Sequence, residues 1–154
     1  MKKTLRFALI GIILLFASNS FAVGTVAITK STTFVVNEPT RIVLTLSWVA
    51  DATAATVPST TINALTYGFS GWYLYSAETN PGSTAPTDNY DIVLNDVDGG
   101  DVAGALLANR HTTTTQLVNL GTAIPIVRGN LEFVLTNNLV NSATGTLILI
   151  FLAN

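Results

Sequence analysis

From Arg41 to Trp48 the apolar side chains fall on every second residue. Ile42, Leu44, Leu46 and Trp48 share one face, and Arg41, Thr45 and Ser47 share the other, where Val43 is the single apolar intruder. A period of two belongs to an extended strand, in which successive side chains point to opposite faces. Leu131, Phe133 and Leu135 alternate with Glu132, Val134 and Thr136 in the same way, and Trp72, Leu74 and Ser76 alternate with Tyr73 and Tyr75. Turn-forming clusters punctuate these segments at Asn37-Glu38-Pro39, Asn80-Pro81-Gly82-Ser83, Asp98-Gly99-Gly100, Arg128-Gly129-Asn130 and Asn137-Asn138. Strands and turns alternating at about ten-residue intervals predict an all-β antiparallel sandwich, jelly-roll or immunoglobulin-like, with little helix. Residues 50–61, rich in Ala and Thr and interrupted by Pro58, predict a long loop. Residues 102–109 predict at most one helical turn, weakened by Gly104.

The last strand breaks the alternation. In Thr146–Leu152, Leu147, Leu149 and Phe151 line one face, and Ile148, Ile150 and Leu152 line the other. A strand apolar on both faces is either a central strand covered on both sides or a strand that leaves one apolar stripe for another molecule. The second alternative predicts a homo-oligomer or larger assembly. Leu147, Leu149 and Phe151 are its expected self-association residues, and Leu149→Asp is expected to lower the assembly state.

Composition adds a compartment. Lys2, Lys3 and Arg6 precede an apolar run from Phe7 to Ala17, and Ser20 and Ala22 are small residues at the positions that precede a cleavage site. Residues 1–22 therefore read as a secretory signal peptide; the apolar run is too short to span a bilayer. The expected mature domain, residues 23–154, is secreted, periplasmic or extracellular, with no stable membrane span. Its four cations stand against nine acids, a net charge of −5, which disfavours nucleic acid as a partner. With no cysteine in the chain, disulfides cannot staple the domain and a thiolate metal site cannot form.

Three constellations could carry chemistry. Asp96, Asp98 and Asp101 sit in one tight turn, and Asp-x-Asp-Gly resembles the start of a calcium loop. The bidentate Glu that would close an EF-hand is missing, however, and Asp-Gly-Gly is also a hairpin turn. No cofactor is expected, and Ca²⁺ is the ion these three aspartates would suit. His111 is the only histidine, no Gly-x-Ser-x-Gly elbow accompanies it, and a nucleophilic hydrolase is not expected. Tyr73 and Tyr75 share a strand face and could stack on a sugar. The resulting alternative is a secreted carbohydrate- or cell-surface-binding module.

The stretch Gly71–Gly82, continued by Ala85–Ile92, Asp96–Gly99, Leu107–Arg110 and Val140–Gly145, resembles small β-rich proteins encoded among the virion genes of tailed bacteriophages. The similarity runs over the mature domain as phrases in order, without a catalytic motif. It implies a structural or accessory virion protein with no catalytic residues. Such proteins fold in the host cytoplasm without a leader. The leader here therefore implies either recruitment of the domain for export by a bacterium, or a virus assembling at an envelope.

Overall fold

The computed structural model describes residues 23–34, 39–120 and 126–153. The expected leader, residues 1–22, lies outside the described residues, as does the turn at Asn37-Glu38. Among the described residues there are eight strands: β1 (Thr25–Thr33), β2 (Arg41–Val49), β3 (Thr60–Ile62), β4 (Tyr73–Pro81), β5 (Asp91–Asn95), β6 (Gln116–Asn119), β7 (Leu131–Thr136) and β8 (Thr144–Leu152). One four-residue helix, α1 (Ala64–Tyr67), follows β3; Asn63 caps its start by accepting from the Thr66 N–H, and Gly68 closes it at φ 76°.

The strands form two antiparallel sheets, a large one in the order β1-β2-β8-β4-β6 and a small one in the order β3-β7-β5. The pairings nest: β2 with β8, β3 with β7, β4 with β6. The segment after β5 turns back on it through bridges at Asn95–Asp101 and Tyr90–Arg110. A long antiparallel ribbon rolled alternately into two sheets gives this nesting, so the sandwich is a jelly roll rather than an immunoglobulin fold. In place of the helical turn expected at 102–109 there are successive tight turns. Gly104, Ala105 and Asn109 have positive φ (58°, 61° and 53°), which a helix does not tolerate.

The core lies between the sheets. Ile42, Leu44, Leu46 and Trp48 of β2 face Leu131, Phe133 and Leu135 of β7 and Ile92 and Leu94 of β5 within one cluster. Phe69 stacks on Phe151 at 4.5 Å, and Trp48 tilts against Tyr90 at 5.9 Å. Trp48 needs the glycine opposite it. A Cβ on Gly145 would come within 2.7 Å of the indole Cε2, so only glycine lets the ring lie flat across β8.

The large sheet places β8 at its centre, between β2 and β4. Leu147, Leu149 and Phe151 are fully buried there and point at the opposite sheet. This corrects the self-association assignment: these three residues build the intramolecular core, and Ile148, Ile150 and Leu152 form the face directed outward. Thr144 and Thr146 share that outer face, as a solvent-side row should, whereas Gly145 shares the inner one.

Candidate functional site

The outer face of the large sheet is the feature that the fold leaves without a second layer among the described residues. Register orders it in rows across the strands. Arg41, Leu152 and Tyr73 form the first, extended by Ile126, which bridges to Tyr73. Val43 and Ile150 form the second, with Tyr75 and Ser76 opposite Ile150. Thr45, Ile148, Glu78 and Leu117 form the third. Ile148, Ile150 and Leu152 are half-buried, and Tyr75, Leu117 and Ile126 are 46%, 61% and 48% exposed. The result is an apolar stripe with one cation, Arg41, and one anion, Glu78, on opposite flanks.

A bulge in β4 interrupts this face beside the aromatic residues. The register between β4 and β8 shifts between Leu74 and Ser76, so Tyr75 is an extra residue without a partner across the ladder. Tyr75 follows Tyr73 onto the outer face by alternation; the extra residue leaves Ser76 and Ala77 both buried and returns Glu78 to the outer side. Tyr73 pairs with Leu152 on the same outer face. Both tyrosines therefore lie on one face, and Trp72, which precedes the strand, packs half-buried against the core. A cleft of about 210 Å³ opens between Tyr75, Arg41, Ile150 and Leu152. A second trough, about 280 Å³, lies at the other end of the sheet, over Ser47, Val49, Asn80 and Thr146. Both are below the roughly 300–1,000 Å³ usual for enclosing a small ligand.

The turn aspartates are occupied by backbone. Asp96 Oδ1 accepts the N–H groups of Asp98 and Gly100 at 2.9 and 2.8 Å, and Gly99 supplies the left-handed residue at φ 82°. Asp101 Oδ1 accepts from Leu94 and Ala103, and its Oδ2 from Ala105. The carboxylate of Asp98 pairs with Arg128 at 3.1 Å, and that of Asp96 lies 3.8 Å from the same guanidinium. Sequence proximity thus does not bring the three carboxylates to one point. Among the described residues no group of three or more His, Cys, Asp or Glu could hold a metal ion.

His111 is likewise held in its loop, where Nδ1 accepts the N–H groups of Thr113 and Thr114 at 3.0 and 3.1 Å. At the end of β2, Asp51 Oδ1 accepts from the N–H and hydroxyl of Thr53 and the N–H of Ala54, and these bonds hold its carboxyl below the ordinary value, led by that from Ala54. Burial raises the phenol of Tyr90, against an opposing effect of the Thr79 hydroxyl.

Leu117 and Ile126 were not identifiable from the pattern, because β6 is four residues long and Ile126 makes an isolated bridge outside any strand. Val43, the intruder on the polar face of β2, did carry a signal: it lies beside Ile150 and widens the stripe. Comparison of the chain with protein-family models, with curated proteins and with solved structures returns no match.

Proposed function

We propose that this protein is a non-enzymatic, exported structural or assembly subunit that acts by self-association. The observation that supports the reading is the apolar stripe of Ile148, Ile150 and Leu152 at the centre of the large sheet, continued by Val43, Tyr75 and Leu117. Monomers seldom leave a contiguous apolar patch of this kind on the strands at the middle of a sheet. Jelly rolls serve capsid subunits and lectins alike, so architecture leaves the choice to surface chemistry. The polar groups that could have made a catalytic or metal site are committed to turns, which favours a mechanical role. The bacteriophage-like phrases of the sequence agree with it.

Export and assembly are tested together. The full-length gene product, purified as its host processes it, should have the mass of a chain starting at Val23 and should elute as an oligomer in light scattering. An unprocessed cytoplasmic product would remove the export half of the proposal, and a strictly monomeric product would remove the assembly half.

The second reading, a carbohydrate-binding module, draws on the shared face of Tyr73 and Tyr75. Titration with a panel of glycans would support it if affinity fell on Tyr75→Ala while the oligomeric state stayed unchanged.

A further inference from the structure

The two charges on the outer face are arranged symmetrically about Ile150. Arg41 lies on β2, one strand to one side of Ile150 and one row toward one end. Glu78 lies on β4, one strand to the other side and one row toward the other end. With strands about 4.8 Å apart and rows about 6.6 Å apart, the two charges are equidistant from Ile150 in opposite directions. Resting on the self-association proposed above, we infer that two copies pack outer face to outer face as an isologous dimer. The two-fold axis lies in the plane between them and passes over Ile150, setting Arg41 of each copy against the partner's Glu78.

An in-plane axis perpendicular to the line from Arg41 to Glu78 exchanges the two positions, so a single rotation forms two ion pairs and lays Ile150 on the partner's Ile150. These are the only charged residues on this face among the described ones; Lys30 of β1 pairs with Leu44 and belongs to the inner side. Arg41 already has a contact within its own subunit, and its five N–H donors leave room for a second. Strand addition at an edge is the rival route to a dimer. Both edges of the large sheet discourage it, since β1 carries Lys30 and β6 is four residues long.

The test is charge reversal read by sedimentation equilibrium on the full-length gene product as its host processes it. R41E and E78R, each alone, should weaken self-association by at least about tenfold, because each sets like charges together twice. Mixed in equal amounts, the two variants should associate with each other, since every cross-copy pair is then opposite in charge. The double variant R41E/E78R should recover the wild-type constant. Recovery in the mixture also shows that both variants are folded. If the wild type dimerises but neither single variant is weakened, the two-fold arrangement is wrong, while self-association stands on another surface. If the wild type stays monomeric at every concentration, self-association itself fails.

Discussion

The two sheets turn opposite kinds of face to the outside. The small sheet presents Glu132, Thr136, Asp91, Asn95 and Thr61, with only the Val93–Val134 pair apolar at its centre. The large sheet presents Ile148, Ile150 and Leu152 flanked by Val43, Tyr73, Tyr75 and Leu117. Both turn apolar inner faces to the shared core, so the contrast is not a demand of the core. Strand β7 obeys the rule of a sheet with one wet side, and β8 breaks it. A sandwich needs each strand to be apolar once. The second apolar row on β8 adds nothing to the packing between the sheets, and it is this surplus that points to a contact outside the subunit.

Substitutions on the two faces of β8 should separate these roles most sharply. Leu149→Asp places an unpaired carboxylate among fully buried side chains and should cost more than about 4 kcal/mol, enough to prevent folding. Circular dichroism and urea melts would read this as loss of the cooperative transition. A folded, merely dissociated Leu149→Asp variant would show that the inner and outer faces are exchanged.

Gly145→Ala is the next largest. Its Cβ would meet the Trp48 indole, and overpacking of this kind costs about 1–3 kcal/mol. A lowered urea midpoint with an unchanged slope is the expected result. A neutral effect would mean that Trp48 is free to move.

Asp51 tests the crossing from the large sheet to the small one, because its carboxylate organises the loop that leaves β2. Its folded pKa lies below the ordinary value, so its stabilisation is complete above about pH 4 and is lost as pH falls through the depressed folded value. The melting temperature should decline on acidification below about pH 4, and Asp51→Ala should decline less over the same range. Parallel pH profiles would exclude this contribution.

On the outer faces the effects on folding should be smallest. Ile150→Asp and Val134→Asp should each change monomer stability by about 1 kcal/mol or less, since both sites are reached by water. They should differ in assembly alone, Ile150→Asp abolishing it and Val134→Asp leaving it intact. Equal loss from both would place the contact elsewhere.

Much of this architecture could be read from the chain. The alternation in Arg41–Trp48 and Leu131–Thr136 gave the inner faces of β2 and β7 residue by residue. For β8 the pattern gave two apolar faces but not which one met the opposite sheet, since aliphatic residues on either side are equivalent until register is known. Thr144 and Thr146 held the only local hint. The bulge at Tyr75 leaves no periodic trace. The aspartate turn looked like a cation loop because sequence spacing does not reveal which N–H groups each carboxylate already holds. The crowding of Gly145 by Trp48 depends on a pairing between residues almost a hundred positions apart, which no local pattern encodes.

Self-association through the outer face of β8 is decided by sedimentation equilibrium of the wild type beside Ile150→Asp. The wild-type mass should rise with concentration to twice that of the monomer, while Ile150→Asp stays monomeric with a melting temperature close to the wild type in its dissociated state. A wild type that remains monomeric at the highest concentration reached, or an Ile150→Asp variant that assembles as the wild type does, would contradict it.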